Sequence, residues 1–378
     1  MYHLLSLLRD YALPFIVVIS VVVFVHEYGH FWVARKCGIR VESFSIGFGK
    51  SIFGWTDKHG TRWQVAWLPL GGYVKMFGDA DPASSPDESV KHMSEEEKKI
   101  SFFHQSVNKR MAVVVAGPAT NYIFAIIVLA FLFVFEGQPF SPAVISSLQD
   151  NSVAAHAGLL PGDKIIQIDD RKIERFEDIK RMVAMNDGKP IAVRIERNGA
   201  DQTFTMTPEI AVMQDRFGGE HKMGKLGIVS DKLDHRKLSP LKAIEQAAIE
   251  TWDMSADTLK AMGQMIMGTR GSEEIGGPLR IAEMSGDVAR DGFWAVIWFM
   301  GVISINLGLI NLFPVPLLDG GHLLFYFYEK LFGRPLGEKT QEVGLRIGMT
   351  LVITLMVFAT WNDLVHLEVI SKIKSLFS

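Results

Sequence analysis

At 378 residues the chain has room for two or three domains, and its 48% apolar content, mean hydropathy of +0.18 and 25 phenylalanines point away from an average soluble enzyme, toward a protein partly in lipid. A net charge of −3 and a pI near 6.4 leave no global basic field, so no nucleic-acid partner is expected. The single Cys37 excludes an intramolecular disulfide and a cysteine-rich zinc site, so any metal must be held by His, Asp or Glu.

Residues 1–35 contain the first predicted span, LPFIVVISVVVFVHEYGHFWVA from Leu13 to Ala34, long enough to cross a hydrocarbon core of about 30 Å. The apolar run is too long for a secretory signal peptide, and no small-residue cleavage site follows it. Residues 36–110 come next. Between Val41 and Met76, FSIGFGKSIFGW and WQVAWLPLGGYVKM alternate apolar residues with glycines and predict a small hairpin-rich sheet. The run DADPASSPDESVKHMSEEEKK has the polar, acidic composition of a solvated mobile loop. Residues 111–136 hold the second span, Met111 to Phe135, with no charge inside it.

Residues 137–210 alternate short apolar runs (VISSL, KIIQI, IAVRIE, TFTMT) with turn signals (PGD, DDR, NDG, RNG), interrupted by one helical segment, FEDIKRMVAM. That pattern predicts a small β-rich α+β domain. In residues 211–292, apolar positions such as Ile244, Ala247, Thr251, Met254, Leu259 and Ile266 predict an amphipathic helix opened by Ser239 and Pro240. Gly276, Gly277 and Pro278 then break the chain. Residues 293–378 hold the third span, Phe293 to Phe313, and a short fourth, Gly348 to Thr360. Arg35, Lys36, Arg40, Lys109 and Arg110 flank the segment between spans one and two, and Lys330, Arg334, Lys339 and Arg346 that between three and four. The positive-inside rule makes both segments cytoplasmic, and the amino terminus and residues 136–292 extracytoplasmic. The expected fold is an α-helical integral membrane protein of four transmembrane helices, with a small cytoplasmic β-hairpin sheet and one extracytoplasmic β-rich domain.

The first span carries HEYGH. His26 and His30 are four residues apart, so both imidazoles leave one helix face one turn apart and can share a Zn²⁺. Glu27 can take a proton from a water whose pKa the metal lowers to about 7. Ionisable residues in a span cost about 2.5–3.5 kcal/mol each on insertion scales, which argues against a chance occurrence of the motif. A catalytic zinc needs a third protein ligand. Asp319 in NLFPVPLLDGGH is the best candidate, because Pro314, Pro316, Gly320 and Gly321 unwind the chain there, and unwound backbone at membrane depth lines a cavity. The alternative for Asp319 is a turn residue before Gly-Gly. His322 is a competing ligand of lower rank, and His366 with Asp363 reads as a membrane-interface feature.

HEYGH, GFGKSIFGW, PLGGYVKM, AGPATN at Ala116–Asn121 and NLFPVPLLDGG at Asn311–Gly321 occur in an order and spacing that resemble the site-2 protease family of intramembrane metalloproteases. The likeness is to its bacterial regulator-of-sigma-E protease branch and covers almost the whole chain. It implies His26, His30 and Asp319 as zinc ligands and Glu27 as catalytic acid/base. It also implies that the sheet around Phe44–Met76, with Gly47, Gly49, Gly71 and Gly72, clamps an extended substrate by strand addition. Asn311 and Pro314 match a position that handles the substrate backbone, although helix–helix hydrogen bonding is an equal alternative for Asn311. NSVAAHAGLLPGDKIIQIDDRKI is similar to a PDZ domain, in one copy where well-known relatives of this branch carry two. Such a domain restricts bulky substrates or binds a peptide carboxyl end. The implied substrate is a single-pass membrane protein such as an anti-sigma factor, or a signal-peptide remnant. The implied location is the bacterial inner membrane, with the PDZ domain periplasmic. A non-catalytic scaffold would not need Glu27, and a zincin working in water would not bury its HExxH in a span.

Overall fold

The computed structural model describes residues 8–79, 90, 92–184, 186, 188–214, 220–232, 234–268 and 276–366. Most of the acidic run expected as a mobile loop lies outside the described residues. The chain forms two compact units, one from Phe133 to Ser239 and the other from the stretches on either side.

A π-helical turn, Leu8–Ala12, leads into α1 (Leu13–Lys36), which has a proline in its first turn, where the missing N–H is no loss. This helix buries Val18, Val22, His26, Gly29 and His30 and leaves Val17, Phe24 and Trp32 exposed. Strands β1 (Val41–Thr56) and β2 (Arg62–Met76) form an antiparallel hairpin. Asp57 closes its turn by accepting hydrogen bonds from the His59 and Thr61 N–H groups at 2.8 and 3.0 Å. The register shifts repeatedly along the pair, and Gly47 and Gly71 lie within the shifted stretch at φ 87° and 123°. Such irregularities bend a strand, and left-handed backbone at those points favours glycine. Phe44 stacks on Trp63 at 4.4 Å between centroids and meets Phe31 of α1 edge-on, which docks the hairpin onto the helix. Helix α2 (Val107–Leu132) completes this half.

The β-rich unit is built from short antiparallel pairs. Strand β3 (Gln138–Phe140) pairs with β12 (Asp234–Arg236), and β4 (Ser147–Leu148) with β11 (Ile228–Val229). A four-stranded sheet runs in the order β6 (Arg171–Lys172), β5 (Lys164–Ile168), β7 (Ile191–Arg197), β8 (Ala200–Met206). Strands β9 (Glu209–Gln214) and β10 (Glu220–Lys225) form a separate hairpin. Along β7, Ile191, Val193 and Ile195 point inward with period two, and α3 (Phe176–Ala184) covers them with Phe176, Ile179 and Val183. The structure corrects the expected boundary at residue 210. Leu226 belongs to this core, and β11 and β12 return to pair with strands at the start of the unit. The stretch expected to be helical from residue 211 therefore opens with strands, because polar segments such as EHKMGK hide their pairing from any reading of alternation.

Asp163, 1% exposed, accepts two 2.7 Å hydrogen bonds from Arg197 and one of 2.8 Å from the Leu160 N–H. Burial opposes its charge, yet Arg197 and Leu160 outweigh burial and hold the carboxyl below its usual range. Arg197→Met is expected to loosen this unit, because it strips the charged partner from a carboxylate held out of water. Faster hydrogen exchange at β5 and β7 amides of the full chain would report it. Because the folded carboxyl is depressed, the stabilisation is present above its ordinary value of about 4 and fades as pH falls through the lower folded value. The gap between wild type and variant should close in acid, and equal exchange at neutral pH would show the pair to be dispensable.

The chain returns to the helical unit with α4 (Pro240–Ile266), α5 (Pro278–Asp291), α6 (Phe293–Asn311), α7 (Asp319–Phe332) and α8 (Glu338–His366). Among the described residues four helical stretches are long and apolar enough to cross a membrane: Arg9–Lys36, Val107–Gly137, Phe293–Asn311 and Lys339–Val365. Helix α2 packs against α1 and α6. At the α1 contact a Cβ on Gly29 would overlap the Ala116 carbonyl and the Thr120 hydroxyl, so only glycine permits this approach.

Helix α4 takes the predicted start at Pro240. Helix α4 does not bury its large apolar side chains. It packs on α2 and α6 through Ala243, Ala247, Thr251 and Ser255, with Ser255 Oγ 3.3 Å from the Tyr122 hydroxyl, while Leu241 and Trp252 stay exposed. Small residues at such a contact let the helix backbones approach closely. The fourth span is also far longer than Gly348–Thr360 and starts before it. Its residue Asp363, 1% exposed, accepts hydrogen bonds from the N–H groups of Gly277, Leu279 and Arg280 at 2.8–3.1 Å. It thereby caps α5, whose N-cap Gly277 has no side chain of its own to do so.

Candidate metal centre

His26 and His30 project from α1 toward the first residue of α7, Asp319. Their Nε2 atoms are 3.2 Å apart and lie 3.2 and 3.4 Å from Asp319 Oδ2. Tetrahedral zinc bound at about 2.0–2.1 Å has donor–donor edges of about 3.3 Å, so the three donors form one face of such a site. Both histidines are buried, and Asp319 Oδ2 is buried with no hydrogen-bond partner. A buried carboxylate oxygen left without a donor is costly, and a cation removes that cost. The residues therefore fit a zinc ion. Among the described residues this is the one group of three or more His, Cys, Asp or Glu able to hold a metal.

Local structure explains how Asp319 arrives. Helix α6 stops at Asn311, and the chain turns back through Leu317, a non-glycine at φ 104°. A Cβ on Gly320 or Gly321 would collide with the Phe313 or Val315 carbonyl, so the tight return into α7 needs both glycines. Arg110 of α2 holds α7 through a two-pronged pair with Glu329 at 2.6 and 3.1 Å and lies 4.8 Å from the centre of the Tyr326 ring.

The donors open onto a cavity of about 270 Å³ that is also lined by Glu27, Asn311, Gly71, Gly72 and His322. The Val74 backbone N–H on β2 faces the Glu27 carboxylate. A Cβ on Gly72 would meet the Glu27 side chain at 3.2 Å and the Ser45 carbonyl at 2.7 Å, so the strand can lie this close only as glycine. Gly47, Gly49 and Pro314 do not line the cavity. Gly47 instead sits against the Leu68 and Ala66 carbonyls, where it shapes the hairpin.

Several contributors were not singled out from sequence. Asn121, wholly buried on α2, has its amide 3.0 Å from His26 Nδ1. The Val113 carbonyl accepts a 2.9 Å hydrogen bond from His30 Nδ1. A side chain at Gly117 would overlap the His30 ring. AGPATN was noted as a motif, and a polar Asn in an uncharged span was a usable signal. A backbone carbonyl as partner has no sequence signal.

A three-donor metal centre with a carboxylate beside it, set among apolar helices, defines a metallohydrolase that works inside a membrane. Comparison with known proteins narrows this: residues 14–355 match peptidase family M50, and the chain belongs to that family. It is 46% identical over 362 residues to a candidate zinc metalloprotease of Agrobacterium fabrum, covering 94% of this chain and 96% of the relative. It is 37% identical over 385 residues to the metalloprotease MmpA of Caulobacter vibrioides, covering 96% and 97%. A solved PDZ domain of the SdrC-like protein from Listeria innocua aligns with 25% of this chain and 99% of its own, at 16% identity and a TM-score of 0.20. The protein is a membrane-embedded zinc metalloprotease.

Proposed function

We propose that the chain hydrolyses a peptide bond within or near the membrane span of a single-pass protein, such as an anti-sigma factor, or of a signal-peptide remnant. His26, His30 and Asp319 hold the zinc, and Glu27 is the general base and acid. The observation that carries this reading is the convergence of the donor triangle, Glu27 and the Gly71–Val74 stretch of β2 on one cavity.

When bound, zinc polarises the scissile carbonyl and makes water acidic enough to attack near neutral pH. Glu27 removes the proton of the attacking water and returns it to the leaving amine. The Val74 N–H steadies the Glu27 carboxylate. A peptide bond in a helical span has its carbonyl occupied by the helix, so the substrate must first be unwound. Strand β2 pairs only with β1 among the described residues, and its other edge suits an extended segment added as a strand. Asn311 offers both a donor and an acceptor to that segment. The PDZ-like domain is the candidate receptor for a peptide carboxyl end. Co-expression with tagged single-span proteins tests the reading, because wild type should yield a shortened product and a chain that cuts none of them would defeat it.

Sidedness follows from the basic flanks: residues 36–110 face the cytoplasm and the β-rich domain faces the periplasm. In a Cys37→Ser background, Lys99→Cys and Lys189→Cys should react with an impermeant thiol reagent from opposite sides of the inner membrane. Reaction of both from one side would overturn this topology.

A further inference from the structure

Asn121 is a neutral amide buried in an apolar span, four residues after the glycine that makes room for the two imidazoles. Its Nδ2 stands 3.0 Å from His26 Nδ1 while its Oδ1 is buried without a partner, but an amide can turn end for end, and its two ends have opposite consequences. If the N–H₂ end faces the ring, Nδ1 must accept, and the ring proton sits on Nε2. That proton would point at Asp319 Oδ2 and His30 Nε2, where a metal needs a lone pair. If the carbonyl end faces the ring, Nδ1 carries the proton and Nε2 presents its lone pair to the same point.

His30 shows which state the centre is built for. Its Nδ1 faces the Val113 carbonyl at 2.9 Å, which can only accept, so Nδ1 is the protonated nitrogen and Nε2 is free. The two partners, Val113 O and the Asn121 amide, lie about two turns apart on α2. The buried Ser304 hydroxyl of α6 donates to the Asn121 backbone carbonyl at 3.0 Å and fixes that turn from the other side.

We propose that Asn121 is a positioning residue that turns its carbonyl to His26 and holds the ring as the Nδ1–H tautomer, so that Nε2 can bind the metal. The proposal rests on the reading of His26 as a zinc ligand. Asn121 touches neither substrate nor metal and acts through His26 alone. Within AGPATN, Gly117 then supplies space for the rings and Asn121 supplies their orientation.

The test uses the full-length protein in detergent, with zinc affinity read by chelator competition and the site geometry by the visible spectrum after cobalt(II) replacement. Asn121→Leu, which can accept no proton, should weaken zinc binding about 10–100-fold, the range for groups that orient a ligand, and shift the cobalt spectrum. Asn121→Asp, which as a carboxylate accepts at the ring, should bind zinc within a few fold of wild type or more tightly. A purely structural Asn would show the reverse order, since a buried carboxylate disrupts packing more than leucine does. Asn121→Leu with wild-type affinity and spectrum, or Asn121→Asp weakened as much as Asn121→Leu, would overturn the proposal. If Asn121→Leu does not fold, Asn121→Ser replaces it, with the same expected rank below Asn121→Asp. His26→Ala separates the two claims. Full zinc in His26→Ala defeats the ligand reading, whereas lost zinc there with intact binding in Asn121→Leu defeats only the role of Asn121.

Discussion

Glu27→Gln is expected to abolish cleavage of a co-expressed single-span substrate while leaving the zinc content of the purified protein unchanged. General acid–base catalysis is worth about 10²–10⁴-fold in rate, and here one group serves both proton transfers, so the loss should lie at the upper end of that range or below detection. Glutamine keeps the length and shape of the side chain, so the Val74 N–H still faces an oxygen and the cavity wall against Gly72 stays in place. The three donor atoms belong to other residues and keep their separations. Mass spectrometry for zinc beside an immunoblot for the shortened substrate reads both halves of the expectation. Retained cleavage would remove Glu27 from the mechanism. Lost zinc would mean that Glu27 helps to hold the metal.

The second large effect is at Asp319. Asp319→Asn preserves size but removes the one negative charge among the three donors, and zinc affinity should fall by more than the 10–100-fold typical of outlying groups. Activity should fall with it. The neutral amide would also leave the burial of Asp319 Oδ2 without the cation that justifies it. His322 lines the same cavity but lies outside the donor triangle, so His322→Gln should cost no more than about 10–100-fold in affinity. Zinc content and cleavage measured in both variants give the order. If Asp319→Asn keeps full zinc and activity while His322→Gln loses both, the third ligand has been assigned to the wrong residue.

Much of the centre was legible because its parts are local. His26, Glu27 and His30 share one turn of one helix, and helical periodicity alone puts both imidazoles on one face. The four long apolar stretches were visible for a similar reason, since a span satisfies its own backbone and must be apolar along its length. Asp319 was legible only as a candidate, through the prolines and glycines around it. Those residues announce a broken helix but say nothing of what the break faces. The register of β1 with β2, and hence the approach of Gly72 to Glu27, was beyond reach, because shifts at each irregularity depend on the partner strand.

The outer helices divide in the same way. The apolar periodicity of α4 was legible, and Ala247 and Thr251 of that set are buried, but which of its positions meet another helix was not. The contact went to Ala243, Ala247, Thr251 and Ser255, whose small size lets α4 approach α2. By itself, then, the sequence determined that this is a membrane protein with a histidine pair and a carboxylate in its first span, since those features follow from composition and from spacing within single elements, and its motifs carried the family resemblance. Only the tertiary structure decided that Asp319 completes a triangle with 3.2–3.4 Å edges, that Asn121 and the Val113 carbonyl stand beside the imidazoles, and that Asp363 caps α5 from another helix. The reason is common to all three: each partner is brought by a different helix, and which helices meet is set by packing against lipid and one another, which no local pattern encodes.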